Sequence, residues 1–180
     1  MTSRPSAEKL HDKTLPQVGI VMGSDSDLPV MEQAADVLRQ FGVPFEITVA
    51  SAHRSPQRAA DYAGSARKRG LKVIIAGAGH AAHLAGVLAA HTSLPIIGVP
   101  IDSSCLLGLD SLLATVQMPP GIPVATVAIG KPGARNAGVL AVQILAISNP
   151  DLTDRLEAFK RDMADGVEKK AQKVEQQFKA

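Results

Sequence analysis

The chain has 180 residues, a formal charge of +2 and 46% hydrophobic residues, enough for one domain with a full core. Aromatic residues make up only 3%, without Trp, which argues against nucleic-acid recognition by base stacking. The single cysteine, Cys105, excludes a disulfide framework and a thiolate metal cage. The apolar runs are too short to span a bilayer, and residues 1–16 lack the apolar core of a signal peptide. We therefore expect a soluble cytoplasmic protein that begins with a flexible arm, residues 1–16.

Apolar strand-like runs alternate with helical patterns along the chain. The run at residues 18–22 precedes a helical pattern over 28–41, which Gly42 ends. A second run over 45–50 precedes a helix that Pro56 opens and Gly70 follows. Three more short apolar runs cover residues 73–76, 96–99 and 124–129.

This order of elements predicts the fold class. Strands that are nearly continuous in apolar residues are buried on both faces, as in a parallel sheet with helices on either side. We expect a three-layer flavodoxin-like α/β domain over residues 17–150, with all loops after the strands at one edge of a central parallel sheet. From residue 151 a long helical pattern carries an apolar stripe on a charged helix, which predicts a C-terminal helical extension over 151–180.

The loop after the first strand, Gly23-Ser24-Asp25-Ser26-Asp27, is a candidate phosphate site. A strand that ends in a Gly-led turn and enters a helix leaves the first helical N–H groups unpaired at the positive end of the helix dipole. The alternative is that the serines and Asp27 only cap the helix.

Two further loops carry unusual residues. The loop after the second strand contains His53 and Arg54, and the loop at residues 77–86 holds three glycines and two histidines. Parallel topology brings these loops to the edge where the first turn lies. Together they predict a pocket for a small anionic substrate with a titrating imidazole at its centre.

Two other interpretations of the glycine-rich loop are weaker. Gly77-x-Gly79-x-x-Ala82 matches a dinucleotide fingerprint, but it lies on the third strand and His80 and His83 occupy positions where a pyrophosphate needs bare backbone. A metal site built from His80, His83 and His91 lacks a carboxylate or thiol nearby. We expect neither a nucleotide cofactor nor a metal.

Four motifs in the same order resemble the PurE family of purine biosynthesis over residues 18–150. They are Gly23-Ser24-Asp25-Ser26-Asp27, Ser51-Ala52-His53-Arg54, Gly77-Ala78-Gly79 with Ala81-Ala82-His83-Leu84, and Gly108-Leu109-Asp110-Ser111-Leu112-Leu113 with Val116-Gln117-Met118-Pro119. Arg54 and the Gly-Ala-Gly motif are similar to the class I form, the N5-carboxyaminoimidazole ribonucleotide mutases. The chain departs from the family pattern at His80 and Ala85, where Gly and Pro are common.

The resemblance implies a mutase that moves a carboxylate from an exocyclic nitrogen to ring carbon C4 of an aminoimidazole ribonucleotide, without cofactor or metal. It implies that His53 is the acid/base catalyst. The implied substrate-binding residues are Ser24, Asp25, Ser26, Asp27, Ser51, Ala52, Arg54, Gly79, His83 and Leu84. It also implies a homo-octamer, from which we predict that Leu156, Phe159 and Met163 are buried against another subunit.

Two alternatives remain at this point. One is a carboxylase that adds free CO2 to aminoimidazole ribonucleotide directly. The other is a non-catalytic flavodoxin-like module that binds a phosphorylated ligand, which would leave His53 and Arg54 without a role.

Overall fold

A computed structural model describes residues 15–178 of the chain. Most of the predicted arm, residues 1–16, therefore lies outside the described residues. The strands are β1 (Val18–Met22), β2 (Phe45–Val49), β3 (Val73–Gly79), β4 (Ile96–Ile101) and β5 (Ala125–Thr126). The helices are α1 (Leu28–Gln40), α2 (Pro56–Ala66), α3 (Leu84–His91), α4 (Leu109–Val116), α5 (Gly130–Ala146) and α6 (Pro150–Phe178).

The five strands form one parallel sheet in the order β2-β1-β3-β4-β5. Val18 of β1 pairs with Phe45 on one side and with Val73 on the other, so the first three strands begin level with one another. Strand order reverses at β1, and in such sheets ligands bind beyond the carboxyl ends of the strands. The predicted flavodoxin-like architecture is confirmed.

Alternate strand residues supply two hydrophobic cores, because successive side chains point to opposite faces of a sheet. Val73 and Ile75 of β3 join α1, α5 and the start of α6 in one core. Ile74 and Ala76 join α2 and α3 in the other. The sheet is therefore covered on both faces, which fixes the loops at its carboxyl edge on a rigid support.

Several boundaries differ from the predicted ones. Strands β3 and β4 extend beyond residues 76 and 99 to Gly79 and Ile101, whereas β5 is only two residues long instead of spanning 124–129. β5 is at the sheet edge and pairs only with Ile97 and Gly98 of β4, so one neighbour limits its ladder. The chain then turns into α5 at Gly130, whose φ of +71° suits a residue without a side chain.

The first half of α6 packs on its own domain, which corrects one prediction. Leu152 and Leu156 are buried in the core beside α5, and the ring of Phe159 meets that of Phe41 edge to face at 5.5 Å. Arg155 donates from Nη1 to the Phe41 carbonyl at 2.9 Å. Leu156 is thus buried within the chain and Phe159 is partly buried there, whereas Met163, the third predicted interface residue, is half exposed.

The apolar stripe of α6 continues as exposed side chains at Val167, Val174 and Phe178. Within residues 15–178, no helix combines the length and apolar character needed to cross a membrane.

Candidate active site

A cleft of about 650 Å³ opens at the carboxyl ends of β1 to β4. It receives residues from four loops, one after each of these strands. Its lining comprises Gly23, Ser24, Ser26, Asp27, Ser51, Ala52, His53, Arg54, Ala78, Gly79, His80, Ala81, His83, Leu84 and Ser103.

The turn after β1 is held by hydrogen bonds among its own residues. Ser24 N–H donates to Asp27 Oδ2 at 3.1 Å, and Ser26 N–H donates to Ser24 Oγ at 3.3 Å and to Asp25 Oδ1 at 3.1 Å. Asp27 N–H donates to the Ser24 carbonyl at 3.2 Å. The prediction that the first N–H groups are unpaired is therefore wrong for Ser24, Ser26 and Asp27, because their own side chains and backbone cap the short 3-10 turn over Asp25–Asp27.

The polar groups of this turn that remain able to bind a ligand are hydroxyls and a carboxylate. Ser26 Oγ donates to Ser24 Oγ at 2.9 Å, and both side chains lie on the cleft wall, where hydroxyl rotors can turn toward a ligand. Asp25 is exposed and does not line the cleft, and its Oδ1 accepts from Ser26 N–H within the turn.

Asp27 is a buried carboxyl at the floor of the turn, with 6% of its surface exposed. Burial raises its pKa above the ordinary value, and the opposing effects of the Ser24 backbone hydrogen bond and the Arg54 charge are smaller. A carboxyl held here must gain hydrogen-bond partners to be stable in the charged form.

Arg54 ties the loop after β2 to the end of β1. Its Nη2 donates to the Gly23 carbonyl at 3.1 Å, and its backbone N–H donates to Ser51 Oγ at 3.1 Å. Ser55 closes the same loop, since its Oγ accepts from Ser51 N–H at 2.9 Å. The guanidinium is thereby placed beside Ser24, on the β2 side of the cleft.

The two histidines of the predicted site are in direct contact. His53 Nε2 and His83 Nδ1 are 2.8 Å apart, and the rings meet edge to face with centroids 4.9 Å apart. One nitrogen must donate and the other accept, so the contact holds a single proton between the rings. It bridges the loops after β2 and β3 across the end of β1.

The glycines at the end of β3 allow close approach of neighbouring side chains. A side chain at Gly77 would collide with Met31, and one at Gly79 would collide with Ser103 Oγ. His80 follows with φ of +53°, a left-handed conformation that residues other than Gly seldom adopt. Its Nδ1 lies 3.0 Å from Ser103 Oγ.

The cleft brings together every predicted site residue except Asp25. His80 and Ser103 also line the cleft, and neither was among the site residues predicted from the sequence. Ser103 follows β4 at the same edge of the sheet, and that position was the available signal. Among residues 15–178, no three His, Cys, Asp or Glu side chains are grouped as metal ligands, and His80, His83 and His91 do not form such a group.

The family described as AIR carboxylase matches residues 17–166. The chain belongs to this family. Among AIR carboxylase relatives, the N5-carboxyaminoimidazole ribonucleotide mutase of Pyrococcus horikoshii is 59% identical over 161 residues, 89% of this chain and 90% of that protein. The protein of the same name from Thermotoga maritima is 56% identical and covers 90% of this chain and 94% of its own length.

Other relatives carry different names or lengths. A phosphoribosylaminoimidazole carboxylase of Saccharomyces cerevisiae is 58% identical over 160 residues, which are 89% of this chain but only 28% of that protein. Among solved structures, PurE of Treponema denticola superposes with a TM-score of 0.79 at 27% identity, over 88% of this chain and 98% of that one. The AIR carboxylase fold thus extends over nearly all described residues.

Proposed function

We propose that this chain is an N5-carboxyaminoimidazole ribonucleotide mutase of purine biosynthesis, an isomerase that acts in the cytoplasm without a cofactor. It converts N5-carboxyaminoimidazole ribonucleotide to 4-carboxyaminoimidazole ribonucleotide. The observation that carries the proposal is the His53–His83 contact, 2.8 Å between ring nitrogens, within a cleft that also holds Arg54 and two serines. The names of relatives at 56–59% identity support the same activity.

The reaction needs one group that gives and takes a proton. Protonation of the exocyclic nitrogen releases its carboxylate as CO2, and the aminoimidazole carbon C4 then attacks the CO2. Removal of the proton from C4 completes the isomerisation and restores the catalyst. We assign both transfers to His53, because an imidazole can serve as acid and base near neutral pH.

His83 is suited to orient His53. When His53 Nε2–H donates to His83 Nδ1, the other nitrogen of His53, Nδ1, is the one left to exchange a proton with substrate. A fixed tautomer of this kind keeps the base form available without rearrangement.

The ribonucleotide phosphate is assigned to Arg54 and the hydroxyls of Ser24 and Ser26. A guanidinium with neighbouring hydroxyl donors suits a phosphate, and all three side chains line the cleft. Asp27 is assigned to the ribose hydroxyls, which supply the hydrogen bonds that a buried carboxylate requires.

Part of the remaining lining is apolar side chain or backbone and would hold the base and the transient CO2. Ala52, Ala78, Ala81 and Leu84 contribute side chains, and Gly79 contributes its backbone. Retention of CO2 beside C4 turns recapture into an effectively unimolecular step, an effect that reaches about 7–11 kcal/mol in favourable systems.

We also propose that the enzyme is a homo-octamer, as the family resemblance implies. In the isolated chain a cluster of large apolar side chains is exposed on and before α4, and we name it the α4 face. It consists of Leu106, Leu107, Leu109, Leu113 and Val116. A contiguous apolar face of this kind fits burial against a second copy.

The test of the proposed activity is a direct assay. Purified protein is incubated with N5-carboxyaminoimidazole ribonucleotide, and the C4-carboxylated product is followed without ATP or added bicarbonate. Product formation supports the mutase. Turnover that requires added bicarbonate and starts from aminoimidazole ribonucleotide would instead indicate a direct carboxylase, and binding without turnover would indicate a binding module.

A further inference from the structure

The cleft contains few permanent charges for a substrate with two anionic groups. Among residues 15–178, Arg54 is the one Arg or Lys in the cleft lining and Asp27 is the one carboxyl. The proposed substrate and product each carry a phosphate and a carboxylate. If Arg54 binds the phosphate, the carboxylate needs another partner, and the three histidines of the lining are the groups that can become cationic.

Sheet order separates Arg54 from the His80–Ser103 pair. Arg54 lies where the loops after β2 and β1 meet, because it bonds the Gly23 carbonyl. His80 and Ser103 join the loops after β3 and β4. The midpoint of the β2–β1 pair and that of the β3–β4 pair are two strand spacings apart, about 10 Å. The His80–Ser103 pair is therefore on the β4 side of the cleft, away from Arg54.

His80 is held in a conformation that requires support. Its φ of +53° is unfavourable for a residue with a side chain, although His visits this region more often than most. Strained residues of this kind cluster at ligand-binding positions and persist when their surroundings hold them. Here Ser103 Oγ holds Nδ1 at 3.0 Å, and Ser103 is itself packed against Gly79.

We propose that His80, positioned by Ser103, binds the carboxylate of the carboxylated ribonucleotide through Nε2. This inference rests on the proposed function. A serine hydroxyl can donate to Nδ1 of a neutral imidazole or accept from an imidazolium, so Nε2–H is available as a donor in both states. The charged form makes the stronger hydrogen bond to a carboxylate. His80 therefore adds a preference for carboxylated over uncarboxylated ribonucleotide, and the preference increases as pH falls.

Other titratable or charged groups lie on the elements around His80. They are Asp27, His53, Arg54, His83, Asp102 and Asp110. A comparison of wild type with a His80 variant at each pH cancels their contributions. His80→Asn is suitable, because Asn tolerates left-handed backbone and can keep a polar atom toward Ser103 while it removes Nε2.

The experiment measures binding of two ligands, 4-carboxyaminoimidazole ribonucleotide and aminoimidazole ribonucleotide, by calorimetry at pH 6 and pH 8. His80→Asn is expected to weaken binding of the carboxylated ligand roughly tenfold at pH 6 and by a smaller factor at pH 8, as for loss of a charge-assisted hydrogen bond. Binding of the uncarboxylated ligand should stay within about twofold. Ser103→Ala should weaken binding of the carboxylated ligand by a smaller factor than His80→Asn does, because it affects only the positioning of His80.

Two controls separate binding from folding. His91→Asn removes an exposed imidazole outside the cleft and should leave the affinity for both ligands unchanged. His80→Gly relieves the left-handed strain, so it should melt no lower than wild type and still lose the preference for carboxylate. Equal losses for both ligands in His80→Asn, or no loss for either, would overturn the inference.

The same measurements distinguish a failure of the proposed function from a failure of the role proposed for His80. Wild type that does not convert N5-carboxyaminoimidazole ribonucleotide, or binds neither ligand, overturns the mutase and this inference together. Wild type that converts the substrate while His80→Asn keeps its preference for carboxylate overturns only the role of His80.

Discussion

His53 Nε2 lies 2.8 Å from His83 Nδ1, although 30 residues separate the two in the chain. The contact exists because β2 and β3 flank β1, so the loops that follow them converge over the end of β1. It gives the cleft a pair of imidazoles that share one proton, beside a guanidinium and two hydroxyls.

Replacement of His53 by Asn should remove the proton transfers and lower kcat by about 10²–10⁴-fold. His53 is exposed on a loop, so the melting temperature and the affinity for product should change little. Steady-state kinetics and calorimetry check both points, with His91→Asn as an imidazole control. Near-normal turnover in His53→Asn would exclude the assigned role.

Replacement of Asp27 by Asn should make the protein more stable at neutral pH and should lower its affinity for substrate. Burial raises the pKa of Asp27, so the folded state holds that proton more tightly than the unfolded state does. The associated stability is present at low pH and is lost as pH rises through the raised pKa. Asn does not ionise, so the variant keeps its stability as pH rises. Its side-chain oxygen can still accept the hydrogen bond from Ser24 N–H.

Thermal unfolding between pH 4 and pH 8 checks the sign of this effect. The melting temperature of Asp27→Asn should exceed that of wild type most at neutral pH, and the difference should shrink as pH falls toward 3.8, the ordinary value for the group. A variant that is less stable than wild type at pH 7 would show that the capping bond outweighs the burial of charge.

Replacement of Ser24 by Ala should affect both stability and binding. The loss of the cap that accepts from Ser26 N–H should lower the free energy of unfolding by about 0.5–2 kcal/mol. Loss of a hydroxyl donor should also weaken phosphate binding, measured as a rise in KM. Ser93→Ala, on an exposed serine away from the cleft, is the control. A fall in melting temperature without a change in KM would favour a purely structural turn.

The two halves of α6 should respond differently to mutation. Leu156→Ala creates a cavity in the chain's own core and should lower the free energy of unfolding by about 2–5 kcal/mol. Val167 is 66% exposed on the single chain, so Val167→Ala should change the free energy of unfolding of the dissociated chain by less than about 0.5 kcal/mol. Denaturant unfolding measures both.

Assembly is tested by a truncation that this packing suggests. Deletion of everything after Pro150 would remove Leu152 and Leu156 from the core, whereas deletion after Arg161 keeps the Phe41–Phe159 contact and removes the exposed stripe. The shorter deletion should reduce oligomer size in light scattering and reduce activity. A fully active monomer, with or without the segment, would contradict the proposed octamer.

Sequence patterns predicted the architecture and most of the cleft because both follow from parallel topology. Apolar runs located the strands, and strand ends placed His53, Arg54 and His83 at one edge. The sequence left open whether the N–H groups of Ser24 and Ser26 are capped or free to bind a ligand, because side-chain capping and ligand binding use the same residue types. The surface that covers Leu156 was also not predictable, since an apolar stripe does not identify its partner.

Isotope retention shows directly whether CO2 is released and recaptured within the cleft. N5-carboxyaminoimidazole ribonucleotide labelled with 13C in its carboxylate is converted in a buffer that contains excess unlabelled bicarbonate, and the product is analysed by mass spectrometry. Most of the C4 carboxylate should retain 13C, because the CO2 does not leave the cleft before C4 attacks it. Product that carries the isotopic composition of the buffer would contradict recapture within the cleft.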